Sequence, residues 1–367
     1  MKFHIERSVM EDAINTVIRA VAAKSSNPAM EGILLEAGGD TLTVTGFNGQ
    51  MAIRTRCEAQ VEREGNAVLN AKLFGEMIRR MPEDTVTVDC GDQLSADLSC
   101  GDAHYNVSAM SAADYPELPD VGDSETVDIR EIVLKSMIAE TNYAVSTNEA
   151  RPVHTGELFD IVGGKLNVVA CDGFRLAVRT EPVEAQDLEF VVPGLALNEV
   201  ERLCRDEDDM VKIAVGGRHI QFFIGSAELI SRRLDGEFID YKNAIPKNND
   251  TIVQVNTKAM MQSIDRVSVV VNEKMKSPMR CKIGAGRIEM SARTATGAAK
   301  DVCKVEGDGK DMEIGFNNRF LYDAMRYAPE PVVNMAFRSG VAPAVITGAV
   351  GDGRFTYMVL PVRLKNE

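Results

Sequence analysis

The side chains whose type and spacing could do chemistry are few, and none is accompanied by the partners that chemistry needs. Four histidines, His4, His104, His154 and His219, lie far apart. None falls in His-Glu-x-x-His, and none sits beside a cysteine at metal-ligand spacing. Asp206-Glu207-Asp208-Asp209 is an acidic run without the ligand-spaced Gly and Glu of a calcium loop, so it reads as a solvated turn at a helix end. Gly284-Ala285-Gly286 is a lone turn fragment; no P-loop occurs, and no Gly-x-Gly-x-x-Gly leads a strand into a helix. There is no Gly-x-Ser-x-Gly elbow. Asp172 is the most tempting carboxylate, yet the chemistry of an Asp-Gly turn accounts for it. Nucleophile, base and orienting group are nowhere assembled. The sequence does not read as an enzyme, and it calls for no cofactor and no metal.

The basic residues carry the stronger pattern. They recur on the predicted helices and just after them: Arg19 and Lys24; Lys72, Arg79 and Arg80; Lys135; Arg202 and Arg205; Lys258 and Arg266; Arg319 and Arg326. Arg79, Arg202 and Arg326 fall at equivalent positions of three similar segments. For any one of them a solvated helix face is the bland explanation. Taken together they would form a cationic surface that attracts phosphates without reading bases, and contacts of that kind weaken with salt. Few aromatics stand among them, which argues against stacking platforms for single strands.

These cations ride on a unit written three times. Ala170-Cys171-Asp172-Gly173-Phe174-Arg175-Leu176-Ala177-Val178 reads as a strand, a tight turn at Asp-Gly, and a second strand. The same shape occurs at Leu42 to Ile53 and at Ile288 to Ala299, and Leu42, Leu166 and Ile288 open equivalent strands at near-equal intervals. Each unit begins with a helix. Ser8-Val9-Met10-Glu11 and Asp128-Ile129-Arg130-Glu131 read as capping boxes, and Asn256 as the third start. The apolar stripes are Val9, Ala13, Ile14, Val17, Ile18 and Val21; Ile132, Val133, Met137 and Ile138; Met260, Met261, Ile264 and Val267. A second helix follows in each, capped by Asn70, entered at Pro193 and capped by Asn317, with Phe74, Leu197 and Leu321 at matching positions. Short hairpins close each unit, and a Tyr followed by a Pro ends it: Tyr115 to Pro119, Tyr241 to Pro246, Tyr357 to Pro361. The expected class is α+β, three tandem domains of two helices packed on antiparallel sheets, bounded at 1–121, 122–248 and 249–367.

Composition agrees with a globular chain: 367 residues, 45% hydrophobic and 26% charged. No apolar run approaches the roughly 18 residues of a membrane helix, and the opening Met1 to Arg7 lacks a signal-peptide core. Seven unpatterned cysteines suggest reduced thiols in a cytoplasm, most of them small core residues. A net charge of −14 argues superficially against nucleic acid, but a local basic surface can coexist with an acidic exterior.

With these features in place, the chain resembles the bacterial sliding clamps, the beta subunits of the replicative DNA polymerase. The markers are Arg151-Pro152-Val153, the 170–178 hairpin, Asp114-Tyr115-Pro116-Glu117-Leu118-Pro119, Val271-Asn272-Glu273-Lys274 and the terminal Tyr357-Met358-Val359-Leu360-Pro361-Val362-Arg363-Leu364. The resemblance implies a head-to-tail homodimer whose six domains ring duplex DNA, with Arg19, Lys24, Lys72, Arg79, Arg80, Lys135, Arg202, Arg205 and Arg326 facing it. It implies a dimer interface at Tyr105, Val107, Val269 and Val270. It also implies a pocket that takes short peptide motifs of the polymerase, the clamp loader and repair and mismatch proteins. That pocket maps to His154, Cys171, Gly173, Phe174, Arg175, Leu176 and Pro246, with Met358, Leu360, Pro361, Val362, Arg363 and Leu364. Phe174 replaces a histidine common in relatives, His154 stands where they often have an apolar residue, and Lys365-Asn366-Glu367 extends past the usual end. These departures bear on the pocket mouth rather than the fold. A peptide-binding scaffold that never encloses DNA is the alternative.

Overall fold

The computed structural model describes residues 1–91, 94–271, 278–295, 297–307 and 309–364. Asn272-Glu273-Lys274 and the Lys365-Asn366-Glu367 tail therefore lie outside the described residues. The first repeat runs β1 (Lys2–Glu6), α1 (Arg7–Val17), β2 (Gly32–Gly38), β3 (Thr41–Phe47), β4 (Met51–Glu58), β5 (Gln60–Arg63), β6 (Gly65–Asn70), α2 (Ala71–Arg80), β7 (Thr85–Cys90), β8 (Ser95–Cys100) and β9 (Ala103–Ser108). The second runs β10 (Glu125–Arg130), α3 (Glu131–Thr141), β11 (Gly156–Val162), β12 (Lys165–Cys171), β13 (Arg175–Pro182), β14 (Leu188–Pro193), α4 (Gly194–Leu203), β15 (Met210–Val215), β16 (His219–Ile224), β17 (Ala227–Arg232) and the short α5 (Tyr241–Ala244). The third runs β18 (Thr251–Asn256), α6 (Thr257–Ser268), β19 (Met279–Gly284), β20 (Arg287–Thr294), β21 (Gly297–Lys304), β22 (Met312–Phe316), α7 (Asn318–Arg326), β23 (Val332–Phe337), β24 (Ala344–Gly348) and β25 (Phe355–Val359).

Each repeat builds two four-stranded halves of the same order. One half is β6-β2-β3-β4, β14-β11-β12-β13 or β22-β19-β20-β21; the other is β1-β7-β8-β9, β10-β15-β16-β17 or β18-β23-β24-β25. All pairings are antiparallel, and strands such as β18 alternate buried and exposed residues, as a sheet with one covered face requires. The halves then join across repeats. β17 pairs with β4, making one eight-stranded sheet, and β13 pairs with β25, making another.

The chain groups into two compact units, Met1–Lys135 with Leu195–Arg233, and Ser136–Gly194 with Leu234–Glu367. The first holds the β5-β1-β7-β8-β9 sheet and the eight strands from β10 to β6; the second holds the eight strands from β14 to β18 and the four-stranded β21-β20-β19-β22 sheet. The middle repeat gives one half to each because its halves are continuous with sheets of its neighbours.

The three leading helices bury the same positions: Met10, Ala13, Ile14 and Val17 in α1; Leu134, Met137, Ile138 and Thr141 in α3; Met260, Ser263, Ile264 and Val267 in α6. Val9 and Ile132, expected in the stripe, are exposed, and Met10 and Leu134 take their place. The two helix starts read as capping boxes are corrected with them. α1 begins at Arg7 with Glu6 as an N-cap that makes no side-chain bond, and Arg7 N donates to Asp84 O at 3.1 Å. β10 runs through Asp128 to Arg130, and the first α3 amides are capped by the loop after α4, Glu131 N to Asp209 O at 2.7 Å and Ile132 N to Glu207 O at 3.3 Å. A strand feeding straight into a helix leaves its first amides to neighbouring backbone, so a local side-chain cap is not needed. Asn70, Asn256 and Asn317 are caps as expected, accepting from Leu73, Ala259 and Arg319 amides at 2.9–3.0 Å.

The closing tyrosines are buried, and each hydroxyl donates into its own unit: Tyr115 to Thr45 O (3.4 Å), Tyr241 to Asp160 Oδ2 (2.6 Å) and Tyr357 to Tyr327 O (2.8 Å). Six of the seven cysteines are buried and all are free thiols.

Candidate functional site: an aromatic pocket, a cation array and two open sheet edges

The 170–178 hairpin positions the pocket. Cys171 pairs with Leu176, so the two turn residues are Gly173 and Phe174 rather than Asp172 and Gly173. Gly173 takes φ +88°, and the Asp172 carboxylate accepts the amides of Phe174 (2.8 Å) and Arg175 (3.0 Å). Repeat one is built alike, with Gly49 at φ +88° and Asn48 accepting from Gln50 and Met51. The turn thus thrusts Phe174 outward, 62% exposed, while Arg175 folds back.

Arg175 is nearly buried. Its Nε donates to Asp172 Oδ2 at 3.0 Å and its Nη1 to Asp323 Oδ2 of α7 at 2.5 Å. The guanidinium lies 4.6 Å from the Phe320 ring centroid and 5.3 Å from that of Tyr143. Phe174 stacks on Phe320 with centroids 6.2 Å apart, and Tyr143 stacks on Tyr327 at 4.7 Å. An arginine between two carboxylates and two rings is held rigid by charge and by cation–π attraction. Beside it opens a cavity of about 540 Å³, walled by the 145–151 segment, His154, the hairpin, Ile239 and Phe320.

Of the residues expected to form this pocket, His154, Cys171, Gly173, Phe174 and Arg175 line the cavity. The others do not. Leu176 and Met358 face each other across β13 and β25 and are buried in the apolar cluster with Val153, Phe238 and Tyr241, on which Leu360 packs. Leu176 shares its sheet face, and this cluster, with its cross-strand neighbour Cys171, while Arg175 turns to the other face. Leu360 N donates to Phe174 O at 2.9 Å, and Val362 N to Gly315 O at 2.8 Å, so the terminal segment runs from the hairpin to β22. A Cβ on Gly315 would meet Val362 O at 2.5 Å and Leu364 Cδ2 at 2.7 Å, which leaves room there for glycine alone. Pro361 is half-buried, Arg363 is exposed, and the Pro246 carbonyl accepts from Asn249 Nδ2 at 3.4 Å. The sequence reading missed Tyr143, Phe320 and Asp323. Phe320 and Asp323 share a face of α7 at i, i+3, and that spacing was the available signal.

His154 sits on a 3-10 turn (Pro152–Thr155), its ring edge-on to Phe238 at 5.2 Å. Burial, and then the Arg151 cation, hold its imidazole below the ordinary histidine range. Burial pushes the Cys171 thiol up, so it stays protonated.

The expected DNA-facing cations divide by what they touch. In the first unit Arg19, Lys24 and Lys72 are exposed and make no ion pair among the described residues. Arg79 and Arg80 both bond Glu76, at 2.5 and 3.3 Å, and hold its carboxyl below the usual range. Lys135 pairs with Asp206 at 2.8 Å, and Arg205 lies 4.0 Å from Glu207. Arg202 bonds Glu199 and reaches the carbonyls of Asn15 and Thr16 at the end of α1. In the second unit Arg326 is exposed, its guanidinium 5.5 Å from the Tyr327 centroid. Arg79, Arg202 and Arg326 each occupy the last turn of their helix, where a cation also suits the helix dipole.

β9 and β21 are outer strands of their sheets. Tyr105 and Val107 are half-buried on one face of β9. Val269 is 84% exposed just after α6, and Val270 Cγ1 lies 3.7 Å from the position of a Cβ on Gly297, the first residue of β21. In the order of the repeats, β4 takes β17 and β13 takes β25. Among the described residues β21 has no such partner, nor has β9, the counterpart of β17 and β25.

Residues 1–119, 128–240 and 242–363 match the N-terminal, central and C-terminal domains of the DNA polymerase III beta subunit in turn. The beta sliding clamp of Halalkalibacterium halodurans is 30% identical over 99% of this chain and 100% of its own length. The DNA polymerase sliding clamp of Bacillus subtilis superposes with a TM-score of 0.95 at 27% identity, covering 100% of both chains. The sliding clamp of Pseudomonas aeruginosa bound to griselimycin superposes with a TM-score of 0.95 over 99% of this chain and 100% of its own, and at 24% identity that likeness speaks to the fold.

Proposed function

The chain belongs to the family of DNA polymerase III beta subunits, the sliding clamps, and from that premise we propose that two copies close head to tail around duplex DNA and tether replication proteins to it. As a member of this family the chain is a processivity factor of DNA replication, a role with no bond-making chemistry. The observation that carries the closed ring is the strand order. Two of the three places where one repeat's half-sheet can join the next are filled within the chain, and β21 and β9 remain. A second copy offering β9 to β21, and receiving the reverse, fills both by the same pairing. Such a heterologous contact closes when the rotation closes, and it leaves neither β9 nor β21 as an open edge. Tyr105 and Val107 on one side, Val269 and Val270 on the other, supply its apolar cover.

The partition into domains at 1–121, 122–248 and 249–367 belongs to the same proposal. The exposed cations Arg19, Lys24, Lys72 and Arg326 meet phosphates directly. Arg79, Arg80, Lys135, Arg202 and Arg205 contribute field while paired to neighbouring acids or carbonyls. The cavity beside Phe174 and Arg175 receives a short segment of the polymerase, the clamp loader or repair and mismatch proteins, and the 360–364 segment, tied to the hairpin by Leu360 N to Phe174 O, stands behind it. A cytoplasmic protein bound to the nucleoid is the setting this requires.

The test is retention on DNA. Loaded on a nicked circle the protein stays, and cutting the circle releases it. Equal retention on linear and circular DNA would replace the tether with a scaffold that binds peptides without encircling DNA.

A further inference from the structure

We propose, resting on the pocket reading above, that His154 sets what the pocket accepts: the bound segment lays an uncharged, apolar side chain against a neutral imidazole, and occupancy is lost as the solution turns acidic. The ring is fixed from both ends. Its backbone amide donates to Arg151 O at 3.1 Å and its carbonyl accepts from Ser146 N at 2.8 Å, while the ring itself packs against Phe238. Nδ1 is shut away from solvent and has no hydrogen-bond partner among the described residues. A buried lone pair is tolerated more readily than a buried N–H without an acceptor, so the proton sits on Nε2. The imidazolium would place a donor at both nitrogens, one of them with nothing to bond.

The charges around the ring do not help it ionise. Arg151 on its own turn is exposed and makes no ion pair among the described residues. The hairpin contributes Cys171, Asp172 and Arg175, and the last two pair with each other and, through Arg175, with Asp323 of α7. Ile239 and Phe320 do not titrate, and Glu149, the titrating residue of the 145–150 wall, is exposed and does not line the cavity. Arg151 is thus the charge left uncompensated, and it opposes a second cation. An apolar occupant strips further water from the ring and lowers its proton affinity again. The sign follows from linkage: binding expels a proton, so affinity is full above the titration range of the empty pocket and falls as pH drops through it. A segment that set a carboxylate against the ring would do the reverse.

Titration calorimetry of griselimycin into the full chain at pH 7.5, 6.5 and 5.5 tests this, alongside His154→Leu, His154→Asn and Arg175→Ala. The expected result is binding that weakens steadily from pH 7.5 to 5.5 in the wild type, and a flat profile in the histidine variants. His154→Asn keeps a polar tip and serves if His154→Leu loses its fold. A flat or inverted wild-type profile, or the same slope in His154→Asn, overturns the role of His154 while Arg175→Ala still weakens binding. No binding by the wild type, or binding indifferent to Arg175→Ala, removes the pocket reading and this inference with it.

Discussion

Arg175 joins two acids from separate elements, Asp172 in its own hairpin and Asp323 in α7, while its guanidinium covers Phe320. Removing it leaves Asp323 without its partner and frees the wall on which Phe174 leans. Arg175→Ala is expected to weaken griselimycin about tenfold, the loss of one charge-assisted hydrogen bond, with the mass of the assembly unchanged. Unaltered affinity by calorimetry would count against the pocket. The cations differ in a way their sequence positions do not reveal. Lys24 is exposed and unpaired among the described residues, whereas Arg202 already serves Glu199 and the end of α1. Lys24→Ala should lower the slope of log affinity against log salt for duplex DNA by about 1, and Arg202→Ala by clearly less. Equal slopes would show that the internal bonds of Arg202 do not withhold it from phosphate.

At the scale of elements, turns and closures position the pocket more than helices do. Gly173 at φ +88° aims Phe174 outward, and Gly315 admits the terminal segment against β22. Gly173→Ala forces a side chain into the left-handed region and should cost about 1 kcal/mol of unfolding free energy, read by denaturant titration. Gly315→Ala strikes backbone at Val362 and should displace residues 360–364, exposing that segment to protease while the β22–β19 pairing persists. Protection equal to the wild type would mean the segment is held elsewhere. The leading helices make a further point: three different sequences bury the same four positions, yet α1 begins with no side-chain cap and α3 hands its first amides to the loop after α4. Where β1 and β10 run unbroken into α1 and α3, neighbouring carbonyls do the capping.

For the whole molecule the strand order is the governing feature. The same junction, the last strand of one half-sheet against the fourth of another, is made at β17–β4 and β13–β25, and the strands of the described residues leave a third one unmade. Tyr105→Asp puts a charge on the half-buried face of β9 and is expected to halve the mass in solution at micromolar concentration, as read by light scattering. A wild-type protein that is already monomeric there, or a variant that stays paired, would place the closure on other residues.

The threefold repeat, the α+β class, the Asn caps, the core positions Phe74, Leu197 and Leu321 and the closing tyrosines were all legible along the chain. Each depends on local periodicity or turn chemistry that recurs in sequence. The partnership of Arg175 with Asp323, the retreat of Leu176 and Met358 into the core, the capping of α3 by the loop after α4 and the two seams between repeats were not. Those are contacts between residues far apart in the chain, and antiparallel register, which turns neighbouring side chains to opposite faces, is decided only when the sheets close.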